Sequence, residues 1–472
     1  MYQDGILAGA LHSDEHYSLL VSRKLRRKSL ADTNATTGRD TNSLISQMSS
    51  VGPGLVYALT ILGTGDLITN ASAGGGYGYS LIWALGFTLI LRYVWVNTSA
   101  KYVLVTGESL MQGYARLGSW FIWLMLFALI ILRHVYNLYQ ILMMGSGAHI
   151  LVPLQELPVL TIPTEWSMPI WALLFTGIGF VMMFWGGYSV IETFCKILVG
   201  VMGCALVVAA LLSNPDPVGI AKGFIPNMPE DEGLYSSMLI LMALIGTEAG
   251  SMTNLTYAYF IYEKGWTNVR YMKRQRFDLG FGVVALFIMG TLLQIAAAGT
   301  VGESGVQLET AEDLVKIFSG TMGELGRVIF GLGLWGAAFS TFIGGTVGYA
   351  LIITDLCRNL IPKFQLSPGQ KFENIKNDPI YRWSIIIWTF SPIYIVFTGV
   401  RPVWLILIFS SLMVVMIPVL ALALMVITNK TELMGKYKNG WLTNAVLILL
   451  VAISFYMIGK EAIPNVIELL GI

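Results

Sequence analysis

Long apolar runs, separated by short polar breaks, occupy most of the chain from about residue 52 onward. Many of them reach about 18 residues or more, which lets an α-helix cross the roughly 30 Å hydrocarbon core of a bilayer. The pattern therefore predicts an all-α membrane protein with about 11 transmembrane helices. The predicted spans are 52–75, 79–98, 119–148, 168–186, 190–213, 235–261, 279–300, 325–354, 383–399, 402–427 and 441–459.

Composition agrees with this pattern and separates a short first part of the chain. Hydrophobic residues make up 55% of the chain and charged residues 12%, whereas a soluble domain carries about 25% charged residues. Residues 1–50 are polar and rich in Ser, Thr and Asn, a composition typical of disordered segments. We therefore expect a disordered cytoplasmic N-terminal tail at 1–50 and a transmembrane domain at 51–472.

Basic residues between the spans predict the orientation, because cytoplasmic links carry an excess of Lys and Arg. With the N-terminus inside, the even-numbered links are cytoplasmic, and these links are the basic ones. The link after span six is an example, with Lys264, Arg270, Lys273, Arg274 and Arg276. An odd number of spans then places the C-terminus outside. We expect a multi-pass protein of the plasma or inner membrane.

Two spans join glycines to a carboxylate near their middle. Span one contains Gly63-Thr64-Gly65-Asp66, and span six contains the run GTEAGS at 246–251. Glycine costs a helix about 1 kcal/mol relative to alanine, and irregular backbone persists inside a bilayer only where it lines a cavity or is buried in protein. Broken helices at matching positions of two halves indicate a transporter substrate site. Spans one and six are five apart, which predicts a LeuT-type 5+5 inverted repeat with an eleventh span appended.

Asp66 and Glu248 are the strongest candidates for binding a substrate, because ionisable residues inside a membrane are costly and mark function. Carboxylate, carbonyl and hydroxyl oxygens suit hard divalent cations. Two structural alternatives stay open: Asp66 caps a half-helix, and Glu248 pairs with Arg133. The other candidate ligands beside the two breaks are Gly63, Thr64, Asn70, Ala249, Ser251 and Met252.

Other ionisable residues in the spans have weaker claims on function. Arg133 and His134 lie in the middle of span three, where they could compensate charge, hold an anion or move a proton; His134 could equally be a satisfied interior histidine. Glu192 and Lys196 are spaced i,i+4, which favours a structural ion pair. We assign no role to Arg92, which could snorkel or pair.

Several short motifs carry a resemblance to a known family, and their order along the chain matters more than any one of them. They lie at 52–55, 73–83, 106–110, 188–199, 340–345 and 427–441. Together they resemble the natural-resistance-associated macrophage protein (Nramp) family of proton-coupled divalent metal transporters, over nearly the whole chain from about residue 51. The resemblance implies a divalent metal ion as substrate and no resident cofactor.

The signature sites depart from that family. Where the family has Asp-Pro-Gly-Asn, this chain has Gly63-Thr64-Gly65-Asp66, which moves the carboxylate from the first place to the fourth. Where the family has Met-Pro-His, the methionine of this chain, Met252, is shifted by about one residue. The acidic residues expected in span three are also missing. The chain thus resembles a divergent branch, and we expect weak proton coupling and a preference for a hard ion.

The resulting hypothesis is a secondary transporter that moves divalent metal ions of the Mg²⁺, Mn²⁺ and Fe²⁺ class by alternating access. The alternative is a transporter of a small anion or other solute on the same fold, and a third hypothesis is a non-transporting sensor or scaffold. No catalytic motif appears, so we predict that the chain is not an enzyme. The expected partners are the small inorganic ion and the lipid bilayer, with no nucleic acid.

Overall fold

The structure, a computed structural model, describes residues 63–157, 162–185, 188–231, 235–250, 252–301, 315, 319, 322–364, 377–399 and 402–462. Regular structure within these ranges is helical throughout. The expected tail at 1–50 and the first half of span one lie outside the described residues.

Each predicted span corresponds to a helix or to a pair of helix segments. These are α1 (Thr64–Tyr77), α2 (Ile82–Thr106), α3 (Ser119–Leu151), α4 (Thr164–Trp185), α5 (Tyr188–Leu212), α6a (Ser237–Ile245), α6b (Thr256–Glu263), α7 (Met272–Val301), α8 (Glu324–Leu360), α9 (Pro379–Phe390), α10a (Pro402–Leu412), α10b (Met416–Asn429) and α11 (Trp441–Met457). Short helices connect them at Leu110–Ala115, Pro217–Gly223 and Thr431–Met434, and 3-10 turns occur at Leu154–Glu156, Val269–Tyr271, Pro362–Phe364, Ile393–Phe397, Met413–Val415 and Gly435–Tyr437. In the described part of the chain, 8 helical stretches are by themselves long and apolar enough to cross a membrane.

Two groups of helices are distinguished by their packing. Helices α1, α2, α6a and α7 pack on one another and form the group that we call the bundle. Helices α3, α4, α8 and α9 form a second group, the scaffold, in which α3 lies along α8 with the most extensive contact in the molecule. Helix α10a contacts α1, α3 and α6a, so it lies where the bundle meets the scaffold.

Helix six departs from α-helical hydrogen bonding as the glycine pattern predicted, although in a milder form. A π-helical segment at Gly246–Gly250 follows α6a, and a 3-10 segment at Met252–Leu255 precedes α6b. These two segments therefore remain helical, with π-helical and 3-10 hydrogen bonding, and are not unwound. Single π-helical turns inside α-helices are frequent at functional sites.

In the first span the prediction needs a correction of position. Gly63 is extended, with φ −88° and ψ −172°, and α1 begins at Thr64. Asp66 therefore lies in the first helical turn and not in an irregular segment. The side chain of Asp66 caps this start, since it accepts a hydrogen bond from the N–H group of Gly63, as an acidic residue at the third helical position commonly does.

Candidate substrate site

A buried carboxylate in the first turn of α1 has a described hydrogen-bond partner on one of its two oxygens. Asp66 is 2% exposed. Its Oδ2 atom accepts from the backbone N–H of Gly63 at 3.3 Å, whereas Oδ1 has no hydrogen-bond partner among the described residues. A buried polar atom without a partner is costly, so Oδ1 is the atom of this site most in need of a ligand. The capping role considered for Asp66 is real, but it engages one oxygen of the two.

The carboxylate of helix six has its own counter-charge. Glu248 lies in the π-helical segment, and its Oε2 forms an ion pair with Nη1 of Arg92 from α2. The Nε atom of Arg92 donates to Asn254 Oδ1 at 3.2 Å, and the amide of Asn254 donates to the carbonyl of Ala249 at 2.9 Å. Arg92, to which the sequence analysis assigned no role, is thus the partner of Glu248, in place of the proposed Arg133.

The two carboxylates belong to one electrostatic group. Asp66 lies close enough to interact with Glu248, with Arg92 and with the hydroxyl group of Thr247. With both carboxylates ionised, the two carboxylates and one guanidinium give this trio a formal net charge of −1. In a low-dielectric interior such a charge attracts a cation strongly.

A third element, α10a, approaches the same place. A Cβ atom added to Gly246 would lie only 1.9 Å from the carbonyl oxygen of Ser410, so glycine is required for this contact. The Oγ atom of Ser410 is buried and, within the described part of the chain, has no hydrogen-bond partner. It would lie 3.6 Å from a Cβ atom on Gly65. Sequence reasoning missed Ser410, because nothing marks one serine in an apolar span.

Two of the predicted neutral donors are engaged in helix packing. The hydroxyl group of Thr64 donates to Gln140 Oε1 on α3 at 3.0 Å. The amide of Asn70 donates to the carbonyl of Asp66 at 2.9 Å, and its oxygen accepts from Gln294 of α7 at 2.8 Å. Thr64 therefore connects the bundle to the scaffold, and Asn70 fastens α1 to α7.

The remaining predicted ligands differ in whether their atoms already form hydrogen bonds. The carbonyl of Gly63 accepts from the N–H group of Leu67 at 3.1 Å, and that of Ala249 accepts the amide hydrogen bond described above. Met252 is fully buried at the first position of the 3-10 segment. Ser251 lies outside the described residues. The carbonyl oxygens of Gly63 and Ala249, which a full unwinding would have released, are hydrogen-bonded here.

Arg133 is buried between α3 and α8 and faces neutral oxygens. Its Nη2 atom donates to the carbonyls of Thr341 and Phe342, each at 3.2 Å, and to Thr346 Oγ1 at 3.1 Å. It also donates to the side-chain oxygen of Asn137 on its own helix. The contacts of Arg133 join two scaffold helices and include none of the trio.

His134, the neighbour of Arg133, faces a different helix. Its Nδ1 atom lies 2.9 Å from Ser391 Oγ, and its ring stacks on that of Tyr394 with centroids 6.0 Å apart. Both partners follow the C-terminal end of α9. The contacts of His134 thus place it on the scaffold, whereas the breaks belong to the bundle.

The described residues contain no group of three or more His, Cys, Asp or Glu side chains that could hold a metal ion. A cation at this site would therefore depend on one free carboxylate oxygen together with neutral oxygens and water. Such a donor set fits a hydrated, hard ion that is carried and released better than a resident structural metal.

A family model described as natural resistance-associated macrophage protein-like matches residues 54–460. The chain belongs to the Nramp family. This Nramp chain is 23% identical over 427 residues to the divalent metal cation transporter MntH of Bacillus subtilis, a match that covers 86% of the chain and 91% of that protein.

Solved structures support the fold. The Eremococcus coleocola manganese transporter, in complex with an aromatic bis-isothiourea substituted compound, superposes with a TM-score of 0.70 at 15% identity, covering 89% of this chain and 87% of that one. MhsT in complex with L-phenylalanine superposes with a TM-score of 0.53 at 16% identity, covering 86% and 96%. The predicted all-α, LeuT-type membrane fold is confirmed.

Proposed function

We propose that this Nramp protein is a secondary transporter that moves a divalent metal ion across the membrane by alternating access. One observation carries the proposal: Asp66 presents a buried carboxylate oxygen without a hydrogen-bond partner in the described structure, beside the π-helical segment of helix six. The net charge of the trio also favours a cation. The relatives named as divalent metal cation and manganese transporters supply the substrate class.

The donors near the site suit a hard ion of the Mg²⁺, Mn²⁺ and Fe²⁺ class. Asp66 Oδ1 and Ser410 Oγ would coordinate the ion directly, and retained water would complete its shell, because Mg²⁺ in particular sheds water reluctantly. Met252 is the nearest candidate for a soft ligand. Glu248 would act through charge, since its carboxylate is already paired with Arg92.

Alternating access would come from movement of the bundle relative to the scaffold. The site is built by α1 and helix six of the bundle, and α10a closes it at the boundary between the two groups. The hydrogen bond from Thr64 to Gln140 crosses this boundary, so it would change as the bundle moves. In the orientation that we propose, the N-terminus is cytoplasmic, the C-terminus is outside, and the membrane is the plasma or inner membrane.

Arg133 was the feature most in favour of the anion alternative, and its guanidinium group is engaged by the carbonyls of α8. Its position therefore lends an anion substrate no support. We therefore propose a cation as the substrate, and uptake of a panel of anions by the wild-type protein serves as a control.

Uptake of Mn²⁺ into proteoliposomes tests the proposal. We expect Asp66→Ala to abolish uptake while the purified protein stays monodisperse, because the carboxylate oxygen that has no hydrogen-bond partner among the described residues is lost. Glu324→Gln is a control variant, since the Glu324 side chain is 82% exposed and its partner among the described residues is Arg327, three positions along the same helix; it should transport at the wild-type rate. Uptake by Asp66→Ala at the wild-type rate would leave Asp66 only the role of a helix cap. If the wild-type protein transports anions and does not transport Mn²⁺, the proposed function is wrong.

A further inference from the structure

Arg92 is the least expected residue of the site. It lies within a membrane-spanning helix and is 0% exposed, and intramembrane arginines are rare unless they pair or serve a function. Its guanidinium group reaches from α2 to helix six, where it binds Glu248 in the π-helical segment and Asn254 in the 3-10 segment. It therefore contacts helix six at the point where α-helical hydrogen bonding stops.

The pairing changes what the site offers to an ion. A carboxylate that accepts a hydrogen bond from a guanidinium has much of its charge satisfied. The carboxylate of Asp66 has one oxygen without a hydrogen-bond partner among the described residues, and it lies within the electrostatic range of both Glu248 and Arg92. The guanidinium group thus acts as a cation that is attached to the protein beside the place where a mobile cation would bind.

We propose that Arg92 determines the affinity of the site for divalent cations by neutralising Glu248, which leaves Asp66 as the carboxylate available to the ion. This inference rests on the proposed function. It names Arg92 as a residue that sets affinity through charge and without touching the ion. A tethered cation would keep the site from binding a divalent ion so tightly that release becomes slow.

The trio offers a direct test, because its formal charge can be changed step by step. The wild type carries −1, Arg92→Gln carries −2, Glu248→Gln carries zero, and the double variant Arg92→Gln/Glu248→Gln returns to −1. If charge governs binding, the affinity for Mn²⁺ follows this order. We expect about tenfold tighter binding for Arg92→Gln and about tenfold weaker binding for Glu248→Gln, with the double variant near the wild type.

The measurement is calorimetric titration of MnCl₂ into purified full-length protein at fixed ionic strength. Arg92→Lys, which keeps the charge, should bind close to the wild type. Thermal unfolding with and without Mn²⁺ gives a second reading, since at a fixed concentration a ligand that binds more tightly stabilises the folded state more. Arg92→Gln should therefore show the largest stabilisation by Mn²⁺.

Removing one partner of a buried ion pair is strongly destabilising, so Arg92→Gln alone could fail to fold. The comparison of Glu248→Gln with the double variant then decides, because the amide oxygen introduced by Glu248→Gln can still accept a hydrogen bond from Arg92, whereas the double variant contains neither charge of the pair. Tighter binding by the double variant than by Glu248→Gln supports the proposal. Equal binding by these two overturns it.

Two further outcomes overturn the inference while the proposed function stands. Affinities within about twofold across all folded variants would make the Arg92–Glu248 pair a structural strut. A double variant that binds about tenfold more weakly than the wild type would make Glu248 a direct ligand. A wild-type protein that neither binds nor transports Mn²⁺ overturns the proposed function itself, and this inference with it.

Discussion

Two arginines that are buried in the described part of this membrane protein satisfy their charge in opposite ways. Arg92 meets a carboxylate, on a segment of helix six that is not α-helical. Arg133 meets hydroxyl, amide and backbone carbonyl oxygens, most of them on the regular helix α8. Both side chains are 0% exposed, so burial alone does not distinguish them.

The difference shows what each guanidinium can influence. An ion pair beside an available carboxylate changes the net charge that a substrate meets. Neutral carbonyl dipoles stabilise a buried cation without cancelling a charge elsewhere, so Arg133 fastens α3 to α8. We therefore expect changes at Arg92 to affect ion affinity and changes at Arg133 to affect stability.

The largest expected effect is on the stability of the scaffold. Arg133→Gln removes several charge-assisted hydrogen bonds and should lower the free energy of unfolding by about 3 kcal/mol. The Mn²⁺ affinity of the folded fraction should stay at the wild-type value. Thermal unfolding in detergent and calorimetry on the monodisperse peak measure the two quantities. A change of affinity as large as that of the Arg92 variants would end the distinction between the two arginines.

A smaller loss of stability is expected when the space beside Arg133 is filled. A Cβ atom at Gly345 would lie 2.2 Å from Arg133 Nη1, so Gly345→Ala should displace the guanidinium group and cost about 1–2 kcal/mol. Gly333→Ala is the matched control on the same helix, because its Cβ atom would meet nothing within 4 Å. If the two variants unfold at the same temperature, Arg133 can shift without losing its contacts.

The choice of ion tests whether the site beside Arg92 binds a metal ion through oxygen ligands. With oxygen donors at Asp66 and Ser410, we expect Mg²⁺ or Mn²⁺ to compete for uptake better than Cd²⁺, which gains from thioether or imidazole ligands. Met252→Leu, which conserves volume, should leave the order of the ions unchanged. Potent block by Cd²⁺ that disappears in Met252→Leu would make Met252 a ligand and the hard-ion prediction wrong.

The smallest expected effect is on internal pH. No carboxylate occupies the middle of α3, and the contacts of His134 are with the residues after α9. We therefore predict little acidification of proteoliposomes during Mn²⁺ uptake, measured with an internal pH dye. Acidification that accompanies Mn²⁺ uptake and persists in His134→Gln would contradict this prediction. The proton would then be assigned to a group of the trio, and Arg92 would not fully neutralise Glu248.

Sequence reasoning reached the helices, their order and the irregular segment of helix six. Apolar length predicts a span because the bilayer accepts backbone only when its hydrogen bonds are made internally. Glycine beside a carboxylate predicts an interruption, because both the weak helix propensity and the cost of burial are local properties. These arguments identified Asp66 and Glu248 and the irregular segment of helix six, although they overestimated how far the chain unwinds.

The partners of those residues were decided only by tertiary structure. Arg92 and Glu248 are 156 positions apart in the chain, and Ser410 comes from a span without any local signal. Which side chain reaches which depends on the rotation of each helix about its axis and on close contacts such as that of Gly246 with Ser410. A sequence shows that a buried charge needs compensation, but the packing of distant helices determines whether a carboxylate or a carbonyl oxygen supplies it.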